Sequence, residues 1–239
     1  IEKNCAHIEE LVRKHSSDDI DLLCFPELCI SGYNFEKAII SDREALFFSE
    51  LASKYKIAIM AGINKKEGNQ HYDVACIWDE TGTLLGEYKK IHLWDKENDF
   101  FAKGEELVTV SFKGWTIGLL ICADFGFSEL AKSLALKKNA DVIMYPSAWN
   151  PGWDYLFSGC SSIRAAENQV YTVGLNRASG DVEYCGNTTV SNPDGTTLAR
   201  LCTSEESYTR VVLKKECLEK AKETIPWRLM RREEVYNKI

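Results

Sequence analysis

Short apolar runs alternate with longer amphipathic stretches along most of the chain, and the two patterns are typical of buried strands and of helices packed on a sheet. The predicted strands are Leu22–Phe25, Ile57–Ile63, Tyr72–Trp78, Leu84–Tyr88, Leu107–Phe112, Thr116–Ile121, Asp141–Tyr145, Val170–Leu175, Thr188–Ser191, Thr196–Leu201 and Tyr208–Val212. The predicted helices are Glu2–His15, Asp42–Lys54, Ser128–Lys138 and Leu156–Glu167. This alternation predicts an α/β protein in which two sheets face each other and helices cover them.

Composition narrows the class of protein. The 239 residues predict a single domain, residues 1–239, with an ample core. A net charge of -7 argues against nucleic acid or an anionic membrane as a partner. No apolar stretch approaches the ~20 residues that a membrane-spanning helix needs. The nine cysteines lack CxxC spacing, and the four histidines lack metal-ligand spacing, so we expect reduced thiols, a cytoplasmic protein and no bound metal.

One apolar run ends on a cysteine. The run Ile117–Ile121 leads into Cys122, and a helical pattern follows shortly after it. A buried strand that delivers a thiol to a strand-to-helix turn is one way in which α/β enzymes expose a nucleophile above a sheet. A lone cysteine is more often a packed core residue. Cys122 is therefore a candidate whose interpretation depends on the rest of the chain.

Two charged positions elsewhere also follow predicted strands. Pro26 ends the strand Leu22–Phe25, so Glu27 comes directly after a strand end, where α/β proteins place their sites. Lys89 and Lys90 follow the second arm of a predicted hairpin, and alternation turns only one of them towards the strand-end cleft. Taken singly, each of these charged side chains is more simply interpreted as solvated or ion-paired.

Together these three segments resemble the nitrilase superfamily, the carbon–nitrogen hydrolases that use a Glu-Lys-Cys triad. The matching residues are Glu27 in FPEL, Lys90 in KIHL and Cys122 in GLLICAD, and their order and spacing fit the family. A second glutamate of the family falls on Glu97, ahead of Gly104. The resemblance continues through the segments SSIRAAENQVY, GNTTVSNPDGT and RREEVY.

The resemblance implies a fold and an assembly. The fold is the four-layer α-β-β-α sandwich of the nitrilase type. Members of the family begin with a buried strand before a helix such as Glu2–His15, so we expect that an N-terminal strand is missing ahead of Ile1. Members also form homodimers or larger homo-oligomers. We expect the helix that carries Arg164 and the segment around Trp227 to supply the contact surface, and Arg164 to form an ion pair with Glu129.

The resemblance also implies a mechanism without a cofactor. Glu27 would take the proton of Cys122, pass it to the leaving nitrogen, and then activate a water molecule that hydrolyses a thioester on the sulfur. Lys90 and the backbone N–H of Ala123 would stabilise the oxyanion of each tetrahedral intermediate. Glu97 would orient Lys90 or the substrate.

The substrate is less constrained than the triad. Nitrile-cleaving members tend to have Trp-Glu after the cysteine, whereas this chain has Ala123 and Asp124, which favours a small-molecule amide. The candidate pocket residues are Tyr33, Trp149, Asn150 and Trp153, although the aromatic ones could equally be core or subunit contacts.

Several functions stay open at this point. The runs KIHLWD and NPDG most resemble the ω-amidase-like branch, which removes ammonia from small dicarboxylic monoamides. An N-carbamoyl amine or amino acid, or a nitrile, could be hydrolysed by the same triad. A pseudoenzyme that serves as a binding subunit is the alternative outside catalysis, and the intact triad argues against it.

Overall fold

Two sheets of mixed strand direction form the centre of the fold. The protein is seen in a computed structural model that describes residues 1–33, 35, 43–180, 182–236 and 238. The first sheet consists, in this order, of β1 (Leu22–Cys24), β2 (Ala58–Glu67), β3 (Gln70–Trp78) and β4 (Leu84–Lys89). The second sheet consists of β5 (Val108–Phe112), β6 (Trp115–Leu119), β7 (Val142–Ser147), β8 (Tyr171–Asn176), β9 (Thr189–Ser191) and β10 (Thr197–Arg200), in the order β10-β9-β8-β7-β6-β5. The helices are α1 (Glu2–His15), α2 (Glu44–Tyr55), α3 (Ser128–Lys137), α4 (Asp154–Asn168), α5 (Lys215–Thr224) and α6 (Glu233–Tyr236).

The two sheets share one core, and helices cover their outer faces. Met60 and Ile77 of the first sheet belong to the same buried cluster as Val110 and Met144 of the second. A second cluster lies between α1, α2 and the other face of the first sheet, where Phe48 stacks on the Trp78 ring at 5.5 Å. The layers therefore follow the order helix, sheet, sheet, helix.

Two glycines allow α3 and α4 to approach the second sheet closely. A Cβ on Gly118 of β6 would lie 3.0 Å from Leu134 of α3, and one on Gly174 of β8 would lie 3.0 Å from Phe157 of α4. A larger side chain at either strand position would push a helix outward. The close approach holds the loop between β6 and α3 against the sheet.

Strand direction brings several chain segments to one edge of the sandwich. Strands β6, β7 and β8 run parallel to one another, so their carboxyl ends lie together. In the first sheet, β1 runs parallel to β2, and β3 pairs with β4 in a hairpin. The register of this hairpin sets Val74 opposite Lys89, and the backbone N–H of Lys90 donates to the carbonyl of Asp73 at 2.9 Å.

The predicted strand Tyr208–Val212 is wrong. This segment has no strand pairing, and a cavity of about 960 Å³ is lined by both β1 and residues 208–213. A strand needs a neighbouring backbone for its hydrogen bonds, and within the described residues no backbone pairs with this segment. The helix α5 was not predicted, although Leu218 and Ala221 on its inner face are buried.

The predicted helix Glu2–His15 is confirmed with its bounds, and the other predicted elements are present with shifted ends. The helix predicted from Asp42 begins at Glu44, and Asp42 itself lies outside the described residues. The strand β2 continues to Glu67, beyond its predicted end at Ile63. A strand ahead of Ile1 stays a prediction.

Two whole-chain properties complete the description. All nine cysteines are free thiols. Within the described ranges, no helix combines the length and the apolar character that crossing a membrane requires.

Candidate active site

Three charged or nucleophilic side chains meet at the edge where the strands end. Glu27 follows β1, Lys90 follows β4 and Cys122 follows β6. The Lys90 ammonium donates to Oε1 of Glu27 at 2.6 Å, and both side chains are fully buried. Cys122 is buried as well, close enough for the charges of Glu27 and Lys90 to act on its thiol. The structure thus brings the predicted triad into one pocket.

The backbone around Glu27 is held from two sides. The Gly62 N–H of β2 donates to the Pro26 carbonyl at 3.2 Å, and a Cβ on Gly62 would lie 2.4 Å from the Glu27 Cα. The Arg177 guanidinium donates to the carbonyls of Glu27 and Leu28 at 3.0 and 2.7 Å. These contacts fix where the carboxylate can point.

Lys90 lies among three buried carboxyl groups. Its ammonium is 2.6 Å from Glu27, 2.8 Å from Glu97 and 3.3 Å from Asp73. Burial alone would lower the pKa of Lys90, but the neighbouring acidic groups, Glu27 first, then Cys122, Asp73 and Glu97, outweigh it and raise that pKa well above its usual value. Lys90 therefore carries its charge throughout the physiological pH range.

Both carboxylate oxygens of Glu97 accept hydrogen bonds. It lies in a 3₁₀ turn at Asp95–Asp99, where Oε2 accepts from the backbone N–H of Trp94 at 2.8 Å. Its Oε1 accepts from the Tyr33 hydroxyl at 2.9 Å and from Lys90. Burial raises the pKa of Glu97, Lys90 opposes that rise, and the charge of Glu27 adds to it.

Cys122 stands at a strained turn. It begins the 3₁₀ turn Cys122–Gly126, the nucleophile turn. Its φ is +44°, a left-handed conformation that a residue with a Cβ adopts only at a cost in free energy. Asp124 stabilises the turn because its Oδ2 accepts from the Ile121 N–H at 3.0 Å and from the Tyr88 hydroxyl at 2.7 Å. Its Oδ1 accepts from the backbone N–H of His92 and lies 2.9 Å from Nδ1 of that ring, so Asp124 joins the end of β4 to the nucleophile turn.

The thiol of Cys122 rests in its neutral form. Burial raises the pKa of Cys122 well above its usual value, and the charge of Glu27 adds to that rise. Lys90 and a hydrogen bond from the Ala148 backbone act in the opposite direction without cancelling it. Because the thiolate is the reactive form, this sulfur needs a neighbouring base at the moment of attack.

Asp73 is a fourth acidic residue of the site, and sequence reasoning missed it. It lies on β3, is fully buried and contacts the Lys90 ammonium. The usable signal was the hairpin register, since counting back from the turn places Asp73 opposite Lys89, and the irregularity between Ile77 and Trp78 shifts it opposite Lys90. A charged residue within an otherwise apolar strand would then have indicated a partner.

Three of these carboxyl groups have a spacing that could hold a cation. One oxygen each of Glu27, Asp73 and Glu97 lies within 4.8 Å of the others. The cation that the structure places among them is the Lys90 ammonium, which is within 3.3 Å of all three groups.

The predicted pocket residues occupy different environments. Tyr33 reaches the site through its bond to Glu97, with its ring centroid 6.4 Å from that of Tyr184. Trp149 is buried. The partly exposed Trp153 packs against Trp149, with 6.0 Å between the two ring centroids. Asn150 is exposed. Their roles in binding stay predictions.

A polar cavity of about 640 Å³ lies beside Tyr184. Its lining includes Asp154, Glu183 and Arg200. The Tyr184 ring lies 6.4 Å, centroid to centroid, from that of Tyr33, whose hydroxyl donates to Glu97. The cavity offers room for a small polar molecule.

The predicted ion pair between Glu129 and Arg164 is wrong. Arg164 pairs with Glu167 on its own helix at 3.1 Å, and its Nε donates to the carbonyl of Phe125 at 3.1 Å. Glu129 instead accepts from the Ser128 hydroxyl at 3.3 Å. The arginine still contacts the nucleophile turn, but through a backbone carbonyl.

Comparison with known proteins assigns the family. The Carbon-nitrogen hydrolase family profile matches residues 1–220. A nitrilase of Pyrococcus abyssi is 32% identical over 217 residues, covering 86% of this chain and 81% of the relative. The omega-amidase NIT3 of Saccharomyces cerevisiae is 28% identical over 250 residues, covering 92% of this chain and 84% of the relative. The crystal structure of a carbon–nitrogen hydrolase from Helicobacter pylori has the same fold, with a TM-score of 0.87 at 21% identity over 99% of this chain and 92% of that one.

The chain therefore belongs to the carbon–nitrogen hydrolases of the nitrilase superfamily and is an enzyme of that family.

Gly62→Ala tests whether the backbone contact that fixes Glu27 matters. The added Cβ would lie 2.4 Å from the Glu27 Cα, so Glu27 must move. Displacement of a reacting group by about 1 Å can cost roughly 100-fold in rate, and we expect a loss of that order in turnover. Gly126→Ala is the matched control, because a Cβ there meets nothing within 4 Å. Equal activities for the two variants would contradict the expectation.

Proposed function

We propose that the enzyme hydrolyses the carbon–nitrogen bond of a small amide through a thioester on Cys122 and releases ammonia or an amine. The observation that carries this proposal is the buried Cys122 thiol in one cluster with Glu27, whose Oε1 accepts a hydrogen bond from the Lys90 ammonium. Such a site pairs a nucleophile with a base and a fixed positive charge, which acyl transfer from nitrogen requires.

The first half-reaction forms the acyl-enzyme. The Cys122 sulfur adds to the amide carbon while Glu27 takes the thiol proton. The tetrahedral intermediate collapses with cleavage of the carbon–nitrogen bond, and Glu27 returns the proton to the departing nitrogen. The acyl group remains on sulfur as a thioester, and the carboxylate of Glu27 is free again.

The second half-reaction regenerates the thiol. Glu27 takes a proton from a water molecule, whose oxygen adds to the thioester carbon. The second tetrahedral intermediate breaks its carbon–sulfur bond, and the sulfur of Cys122 recovers the proton. A carboxylic acid leaves, so each cycle consumes one amide and one water.

Two hydrogen-bond donors would stabilise the oxyanion in both half-reactions. Lys90 supplies a charge that stays in place because its pKa is raised. Ala123 is the second residue of a 3₁₀ turn whose first backbone bond runs from Asp124 to Ile121, so its own N–H is not used within the turn. Losing one such donor typically costs about 10²–10³ in turnover.

The polar cavity supports a small, polar substrate. Arg200 could contact the remote carboxylate of a dicarboxylic monoamide, the substrate class of the ω-amidase-like branch. The omega-amidase among the relatives adds to this support. Asp154 and Glu183 in the same lining would suit a cationic amide, and an N-carbamoyl compound or a nitrile would use the same triad.

Ammonia release from a panel of compounds tests the proposal. The panel holds small dicarboxylic monoamides, neutral and cationic amides, N-carbamoyl amines and nitriles. Turnover of a monoamide well above the others is expected, and Cys122→Ser serves as the inactive control. Turnover of an N-carbamoyl amine or a nitrile without turnover of any amide would contradict the proposed amide substrate.

We further propose that residues 1–239 act as a single domain without a metal or organic cofactor, in the cytoplasm. The Lys90 ammonium already supplies the positive charge that a metal ion would bring to these carboxylates. The free cysteines fit a reducing compartment.

We also propose a homodimer or a larger homo-oligomer. On α4, the apolar side chains of Tyr155, Leu156 and Ile163 are exposed, and near the C-terminus so are those of Leu229 and Met230. Large exposed apolar side chains on a helix face are typical of a contact between subunits. Light scattering at micromolar concentration is expected to give at least twice the mass of one chain. A monomer under these conditions would contradict the assembly.

Glu27→Gln and Glu97→Gln separate the roles of the two glutamates. Glutamine at position 27 keeps the shape but cannot take a proton, so we expect a loss of about 10²–10⁴ in turnover and no acyl-enzyme. Glutamine at position 97 keeps an acceptor for Lys90, so this variant should turn over slowly or stall with Cys122 acylated. Intact-mass measurement after mixing with substrate distinguishes the two outcomes. Faster turnover by Glu27→Gln would mean that the roles are reversed.

A further inference from the structure

The buried cluster holds more acid than its single cation can neutralise. Glu27, Asp73 and Glu97 are at most 1% exposed, and the Lys90 ammonium is the positive charge in contact with all three. Three ionised carboxylates and one ammonium would leave a net charge of minus two on buried side chains. Burial of uncompensated charge is strongly unfavourable, so such a cluster retains a proton.

The hydrogen bonds of the cluster indicate which carboxyl group retains the proton. Both oxygens of Glu97 accept from donors, and Oε1 of Glu27 accepts from Lys90. Among the described residues, no donor reaches Oε2 of Glu27 or either oxygen of Asp73, since Lys90 contacts Asp73 outside hydrogen-bond geometry. A proton between these two carboxyl groups would satisfy Glu27 and Asp73 at once.

We propose that Asp73 is a positioning residue that keeps its proton and donates a hydrogen bond through it to Oε2 of Glu27. The bond holds the base in place and stabilises its ionised form, while Lys90 holds the other oxygen. The inference rests on the proposed function, because it concerns the base of that reaction.

The electrostatics of the site agree with this assignment. Burial raises the pKa of Asp73 well above its usual value, and the charge of Glu27 adds to that rise. Lys90 opposes it, and the charge of Glu97 raises it further. The remaining titratable groups of the cluster, Cys122 and the Tyr33 phenol, are neutral because burial raises the pKa of both.

The test follows the alkylation of Cys122 by iodoacetamide as a function of pH. The sulfur displaces iodide while the thiol proton passes to Glu27, so the fall of the rate at low pH, the acid limb of the profile, reports on this base. Peptide mass spectrometry reports Cys122 separately from the other eight cysteines. The measurement needs no substrate, and a failure of the proposed amidase function therefore does not affect it.

Two substitutions at position 73 distinguish a protonated Asp73 from an ionised one. Asp73→Asn keeps a neutral donor, so the acid limb of the profile should stay within about 0.3 pH unit of the wild type. Asp73→Ala removes the donor, so Glu27 takes up a proton more easily and the limb should move up by about one pH unit. Asp79→Asn, in the exposed turn of the same hairpin, is the matched control and should leave the limb in place.

An ionised Asp73 would give a different result. Either substitution would then remove a negative charge beside Glu27, and both acid limbs would move to lower pH. That outcome, or an Asp73→Ala profile identical to the wild type, overturns the proposal. If Asp73→Ala does not fold, Asp73→Asn decides alone, since an unchanged limb supports the proposal and a downward shift contradicts it.

Discussion

The contact of one buried ammonium with a group of buried carboxyl groups is the interaction on which the site depends. Lys90 bridges Glu27 and Glu97 and contacts Asp73, and none of these side chains is accessible to water to any useful degree. Each of the acids would be unfavourable in the interior by itself. The charge of Lys90 stabilises the ionised, buried Glu27 that serves as the base. Burial also raises the pKa of the Cys122 thiol, so the nucleophile is neutral and needs this base.

The scaffold supplies the geometry for that interaction from the ends of its strands. Glu27 and Lys90 come from the first sheet and Cys122 from the second, so the site exists only when the two sheets are packed. Asp124 connects the two halves, because it accepts hydrogen bonds from Tyr88 on β4 and from the backbone that precedes Cys122. The left-handed conformation of Cys122 is stabilised by that same network.

The sequence was enough to identify site residues that directly follow a local apolar pattern. It was not enough to identify a residue whose role depends on strand pairing. Glu27 and Cys122 were visible because each directly follows an apolar run. Asp73 was missed because its importance depends on the β3–β4 register, which brings it opposite Lys90. The strand Tyr208–Val212 was predicted from alternation alone, but a strand also needs an adjacent backbone, and a cavity lies on the side of β1.

The most direct test of the central interaction is the stability of Lys90→Met between pH 4.5 and pH 8, measured by urea unfolding. Methionine keeps much of the side-chain volume but leaves the carboxyl groups without a cation, so at pH 8 we expect a loss of about 3–5 kcal/mol. Lys90 opposes the rise in the pKa of Asp73 and of Glu97, so its removal raises both further, the folded variant binds protons more tightly than the folded wild type, and the loss should shrink as the pH falls towards 4.5. Lys89→Met, which removes a partly exposed ion pair with Glu67, should cost little at any pH. A Lys90→Met protein as stable as the wild type at pH 8 would contradict the account.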